Sequence, residues 1–175
     1  LAPYARAGVD IIGTSTSCTL MLKREALEIL ELDDDDLRAV SERVFDISEY
    51  LLAMHRRGDL KTDFRPVPET VTYHAPCQQQ GHGVGKPALE LMALIPELTV
   101  VESDATCCGI AGTYGLKNEK YQIAMDVGAG LFRQVAENRS DEVVCDSETC
   151  RWQIQAATGV RSVHPVEMLH RASGL

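Results

Sequence analysis

Short apolar runs bounded by turn residues alternate along the chain with longer stretches in which apolar residues recur every three or four positions. Gly8-Val-Asp-Ile-Ile-Gly13 reads as a short buried strand, and the pattern then turns helical through Leu20, Leu22, Ala26, Leu27 and Leu30. The run Asp33-Asp-Asp-Asp36 reads as a solvated segment at a helix start, where carboxylates suit the positive end of the helix dipole. One helix is expected from there to Gly58, with Leu37, Val40, Val44, Phe45, Ile47, Leu51 and Leu52 mostly on one face. No basic face accompanies them, so they read as core and not as a helix lying in a membrane surface. Lys61 to Glu69, with Pro66 and Pro68, reads as a linker. Beyond it the pattern predicts strands at Thr70–Tyr73, Leu98–Val101, Asp141–Val144 and Val160–Val163. Helices are predicted over Ala88–Leu94, over Glu119–Glu137, from Cys150 through Trp152, Ile154 and Ala157, and over Val166–Ala172 behind Pro165.

Strands alternating with helices imply an α/β fold, a parallel β-sheet with helices on both faces. In such sheets ligands gather outside the carboxyl ends of the strands. The predicted strands deliver the chain to Cys77, to the pair Cys107–Cys108 and to the segment Cys145–Cys150, so these cysteines would arrive at one edge.

The stretch Ala105-Thr-Cys107-Cys108-Gly109-Ile-Ala-Gly112 carries the chemistry. Adjacent cysteines make a poor disulfide, because joining their side chains closes a strained ring. At a turn both sulfurs can be aimed at one metal centre, with Gly109 supplying the permissive backbone. Gly109 and Gly112 would also leave backbone N–H groups free to approach the sulfurs. Soft thiolates at Cys77, Cys107, Cys108 and Cys150, with Cys145 as a further candidate, suit an iron–sulfur cluster. Zinc is the alternative, and reduced core cysteines are the plain reading. Cys145 and Cys150 lack the two-residue spacing of a redox dithiol. His74, His82 and His164 could each ligate, but are read first as hydrogen-bonded residues. Tyr114, Tyr121 and Trp152 are read first as core, with stacking against a quinone or partner as the alternative.

Composition narrows the setting. No run approaches the roughly 18 apolar residues of a membrane span. A net charge of −9 argues against a nucleic-acid partner. Six cysteines in 175 residues, with an ordinary apolar fraction, point to a reducing compartment and to metal, not to a disulfide scaffold. Gly81-His-Gly-Val-Gly85-Lys86 lacks the spacing and the following Ser or Thr of a phosphate loop, and reads as a flexible turn that lets backbone approach a neighbouring site. Neither a hydrolase triad nor a dinucleotide fingerprint is visible.

The segment ending at Cys18 also overlies the segment ending at Cys150, at a lag of 132 residues, with strand on strand and Ser15 on Ser147. The expected organisation is the tail of a first cysteine-rich repeat plus a connecting helix over 1–60, and a complete second repeat over 61–175. Counterparts of Cys77 and of Cys107–Cys108 are then expected before Leu1, and the chain reads as a fragment. Cys18 is expected to be structurally buried.

His74-Ala-Pro-Cys77, Cys107-Cys-Gly-Ile-Ala-Gly-Thr-Tyr114 and Cys145-Asp-Ser-Glu-Thr-Cys150 resemble the duplicated cysteine-rich CCG domain family. That family includes iron–sulfur subunits of heterodisulfide reductase, of glycolate oxidase and of anaerobic glycerol-3-phosphate dehydrogenase. Likeness to the last of these extends over essentially the whole chain, including Gly8 to Leu30 and Val163-His-Pro-Val-Glu167. The resemblance implies a Rossmann-like cysteine-rich domain that is not catalytic alone. It implies electron transfer from flavin-bearing dehydrogenase subunits towards menaquinone, peripherally at the cytoplasmic face of the bacterial inner membrane. By position it assigns Cys77, Cys107, Cys108 and Cys150 to the second repeat and Cys18 to the end of the first. The family often closes with two cysteines separated by two residues, and here Ser147 holds the first of those places. A non-cubane 4Fe-4S cluster bound by five cysteines, an ordinary cluster, zinc or no metal all remain compatible with that change.

Overall fold

A computed structural model of the protein describes residues 1–174. The chain opens with α1 (Ala2–Arg6) and β1 (Ile11–Gly13), and α2 (Thr16–Leu20) runs through a π-helical turn at Met21–Glu25 into α3 (Ala26–Glu28). Then come α4 (Asp35–Ser41), β2 (Val44–Asp46) and α5 (Ile47–Arg57). β1 and β2 pair in parallel as a small sheet of their own.

The remaining strands are β3 (Thr70–Tyr73), β4 (Thr99–Glu102), β5 (Glu142–Val144) and β6 (Ser162–Val163), ordered β4-β3-β5-β6 with every neighbouring pair parallel. Between and after them lie α6 (Cys77–His82), α7 (Pro87–Met92), α8 (Tyr121–Glu137), α9 (Glu148–Thr158) and α10 (Pro165–Ser173). Side chains alternate across each strand and so separate two cores. Val71, Tyr73, Val144 and Val163 pack with Leu91 and Met92 of α7 and with Met168 and Leu169 of α10. Val143 and Cys145 face the other way, onto Leu131 and Val135 of α8 and Ile154 of α9. Helices thus cover both faces of a parallel sheet, as the alternating pattern predicts.

The helix expected from Asp33 to Gly58 is interrupted. Asp34 caps α4 by accepting from the Leu37 N–H at 2.9 Å, as the acidic run suggests. Val44, Phe45 and Asp46 then leave the helix and pair with Ile11, Ile12 and Gly13. The apolar spacing from Val40 to Leu51 fits one continuous helix, but strand pairing overrides local periodicity here. A local signal for the restart is present in Asp46, whose carboxylate accepts from the Ser48 N–H at 2.9 Å and caps α5.

The turn expected around Gly81 is partly helix, because α6 begins at Cys77 and ends at His82. The backbone there approaches the π-helical turn that follows α2, since Arg24 donates to the Gly81 carbonyl at 2.8 Å. The unit from β1 through α2, β2 and α5 follows the order and parallel pairing of β5–α9–β6–α10, with α3 and α4 inserted before β2. Ser15 and Ser147 each precede the first helix of their unit, while Asp46 and His164 cap the second. Buried bonds tie the first segment to the second: Ser48 donates to Asp146 at 3.0 Å, and Tyr73 reaches the other oxygen of that carboxylate at 2.8 Å.

Candidate metal centre

The chain leaves the carboxyl ends of β3, β4 and β5 and reaches the cysteines at each exit. After β3, His74-Ala-Pro76 leads to Cys77, the first residue of α6. After β4 comes the turn containing Cys107 and Cys108. After β5, Ser147 accepts from the Cys150 N–H and starts α9, which places Cys150 in the first helical turn. Amide groups at a helix start favour a negative neighbour, such as a thiolate.

The turn's shape depends on three left-handed residues, Gly109 (φ 91°), Ala111 (φ 46°) and Gly112 (φ 64°). Gly109 is there for a second reason: a Cβ at this position would overlap the carbonyl oxygen of Ala124 in α8. Reciprocally, a Cβ at Gly128 would overlap the carbonyl oxygen of Cys108. Turn and helix therefore touch backbone to backbone, and Gly128 belongs to the site although it stands twenty positions from the cysteine pair. The Gly109 N–H donates to the Cys107 sulfur at 3.2 Å, the approach expected of that glycine.

Cys77, Cys107, Cys108 and Cys150 line one cavity of about 120 Å³, together with Gln78, Ile110, Ala111, Gly112 and Thr149. Organic ligands of drug size occupy pockets of about 300–1,000 Å³, so this space suits an ion or a small inorganic cluster. The Cys108 thiol donates to the Cys150 sulfur at 3.0 Å, and both residues are buried. That bond and burial push Cys108 well above the usual thiol range. At Cys150 the bond to Cys108 pulls downward, but the adjacent Cys145 thiol and burial outweigh it and raise the group. Burial and the charges of Cys107 and Cys108 raise Cys77, which sits at the exposed rim. Cys145 is fully buried in the core between β5 and α8, behind Cys150 and outside the cavity wall. Cys18 is exposed on α2, contrary to the burial expected of it, because the helix turns that face to solvent.

The histidines divide. His164 accepts from the Val166 N–H at 3.1 Å and caps α10, and the ring of His82 meets the Thr16 carbonyl at 3.1 Å. His74 departs from the expectation of a hydrogen-bonded residue: it is completely buried and neither ring nitrogen has a partner. Burial alone lowers it to about 4, so the ring is neutral at pH 7. A ring nitrogen of His74 and the sulfurs of Cys108 and Cys150 lie within 4.8 Å of one another. The sequence shows only that His74 stands three residues before Cys77, and nothing local marks its ring as unsatisfied. Tyr114, Tyr121 and Trp152 are not core; they are 40%, 49% and 61% exposed.

The match to known proteins follows the same residues. The profile of the CCG family, a cysteine-rich domain, matches residues 71–155. The chain is 41% identical over 94% of its length to an anaerobic glycerol-3-phosphate dehydrogenase subunit of Escherichia coli, of which it covers 41%. It is 30% identical over 77% of its length to an uncharacterised iron–sulfur protein of Methanocaldococcus jannaschii, covering 30% of that protein. It is 31% identical over 73% of its length to a CoM/CoB fumarate reductase subunit of Methanothermobacter marburgensis, covering 25%. The chain thus spans about two fifths or less of these relatives. With three strand ends bringing their cysteines to one cavity and the profile covering all three, residues 71–155 form a cysteine-rich domain of the CCG family.

Proposed function

We propose that Cys77, Cys107, Cys108 and Cys150 hold an iron–sulfur cluster and that the chain serves as an electron-transfer part of an anaerobic dehydrogenase. One observation carries this reading: four thiols from three separate strand exits line a single small cavity. Thiolate sulfur suits the donor needs of iron–sulfur chemistry, which supplies one-electron transfer when the cluster is bound. The tightly grouped donors are His74, Cys108 and Cys150, and Cys77 and Cys107 stand round the wider cavity. Four sulfurs on one tetrahedral zinc would lie roughly 3.8 Å apart, given Zn–S bonds of about 2.3 Å. A donor set spread round a cavity favours several bridged irons over one ion. Cys145 acts as a core residue behind the site.

The relatives extend the proposal to one member of a glycerol-3-phosphate dehydrogenase complex, taking electrons from flavin-bearing partners and passing them towards menaquinone at the inner membrane. Tyr114, Leu116, Tyr121 and Trp152 are exposed and would offer apolar contacts to such partners. Among the described residues no helix is long and apolar enough to cross a membrane, which fits a peripheral attachment. The matching units noted above support residues 1–60 as the end of a first repeat and 61–175 as the second. Anaerobic purification followed by iron, sulfide and zinc counting tests the centre. Iron with sulfide, an absorption band near 400 nm, and loss of both in Cys108→Ser are expected. Stoichiometric zinc without sulfide would overturn the reading.

A further inference from the structure

We infer that His74 is a positioning residue for the cluster, donating a ring N–H to the thiolates of Cys108 and Cys150 and raising the reduction potential of the centre. The inference rests on the cluster reading above and adds a role for a residue outside the cavity wall. His74 is 0% exposed, and its two ring nitrogens are both without a partner. A neutral imidazole has one N–H to give and one nitrogen to accept with, so an isolated buried ring leaves two polar atoms unmatched. Such a residue persists in a core when a third component completes its bonding.

The surroundings restrict what that component is. The backbone of His74 is fixed, since its N–H donates to the Val144 carbonyl at 2.9 Å, extending the β3–β5 pairing. On the preceding residue, the Tyr73 hydroxyl is bonded to Asp146 on the opposite face of the sheet. The ring of His74 therefore points to the face shared with Cys145 and Cys150. There the Cys108 and Cys150 sulfurs come within 4.8 Å of a ring nitrogen, while bonded to each other through the Cys108 proton. Metal binding removes the protons of both thiols and gives both sulfurs negative charge, which makes them acceptors. Of the cavity's cysteines Cys77 is exposed and Cys107 half-buried, while Cys108 and Cys150 are buried, and His74 is not part of the wall. That arrangement places the ring behind the sulfurs, where it can donate to them without occupying a metal position.

An N–H donated to a metal-bound thiolate stabilises the more negative, reduced state, so it raises the potential. Loss of the donor in His74→Leu should weaken electron affinity by about tenfold, equivalent to about 59 mV for a one-electron couple. His74→Gln, which retains an N–H, should recover much of the shift. The test loads the chain anaerobically with iron and sulfide, counts metal, and follows a redox titration by EPR in wild type and both variants. Unchanged iron content with a lower potential in His74→Leu is expected. An unchanged potential would reduce His74 to a packing residue, and loss of iron in that variant would make it a ligand. Should the leucine variant not fold, pulsed EPR on wild-type protein with 15N-labelled histidine decides. A weak nitrogen coupling supports the hydrogen bond, whereas a strong direct coupling or none at all overturns it. Wild-type protein that binds no iron at all would refute the cluster reading itself, and the role of His74 with it.

Discussion

Cys108 and Cys150, 42 positions apart, hold their sulfurs 3.0 Å from each other with one thiol donating to the other. Both thiols are raised, so without metal they are protonated at neutral pH. Ligation requires thiolates, and uptake must therefore release protons. Iron or zinc affinity is expected to climb with pH between about 6 and 9, up to about tenfold per unit for each thiol that loses its proton. Metal titrations at three pH values measure this, and a flat profile would show that the thiols are already ionised. Alkylation of metal-free protein should follow the same order, with exposed Cys18 and Cys77 modified before buried Cys108, Cys145 and Cys150.

The contact between the cysteine turn and α8 makes a paired test of glycine. Gly109→Ala would place a methyl group in the Ala124 carbonyl and hold a left-handed backbone, and Gly128→Ala would press on both the Phe132 ring and the Cys108 carbonyl. Each is expected to cost about 1–3 kcal/mol from overpacking, with additional strain at Gly109. At about 2–4 °C per kcal/mol for a chain of this size, the melting temperature should drop visibly. Gly130→Ala in the same helix meets nothing within 4 Å and should stabilise by about 0.5–1 kcal/mol. Thermal melts of the three variants check the opposite signs, and equal effects at Gly128 and Gly130 would remove the claim of close backbone contact.

The alternation of β-branched runs with long amphipathic stretches was sufficient to expect a parallel α/β sheet, because β3 and α8 bury the faces that their own patterns mark. The cysteine edge was legible for the same reason, since each strand ends shortly before its cysteine. Val44–Asp46 was not, because its apolar spacing is compatible with helix and only its partner Ile11–Gly13 makes it a strand. Gly128 and His74 were hidden differently. A glycine inside a helix carries no sign of what lies against it, and whether a histidine is satisfied depends on neighbours brought from β5 and α9. Local pattern reports faces and ends, while close approach and orphaned polar atoms arise only in three dimensions.

Tyr73 and Asp146 offer a pH-dependent test away from the cavity. The phenol hydroxyl donates to the carboxylate at 2.8 Å, and burial nevertheless pushes Asp146 up to about 6. A carboxyl raised above its unfolded value holds its proton more tightly in the folded state, so its contribution to stability falls as pH rises from about 4 to about 6. Tyr73→Phe removes a donor that favours the ionised form and should raise Asp146 further. The variant is therefore expected to lose about 1.5–3 kcal/mol at pH 7, where the carboxylate is charged, and about 1 kcal/mol at pH 4. Denaturant melts of both proteins at the two pH values give the comparison, and an equal loss at both would mean that Asp146 is not ionised at pH 7.

Cys145 and Cys150 separate a core thiol from a ligand within one short segment. Cys145 is fully buried, its backbone N–H bonds the Val163 carbonyl at 3.1 Å, and its side chain packs among Leu131, Val143 and Ile154. Cys150 shares that core on one side and lines the cavity on the other. Cys145→Ala removes a single sulfur from packed surroundings and should cost about 1 kcal/mol while leaving iron and sulfide per chain unchanged. Cys150→Ala removes a cavity sulfur and leaves Cys108 without its hydrogen-bond acceptor, so iron, sulfide and the absorption near 400 nm should all be lost. Metal counting on the two variants in parallel gives the result. If Cys145→Ala also loses its iron, the Cys145 thiol must swing past Cys150 on cluster binding, and the fifth sulfur then comes from the residue that follows β5.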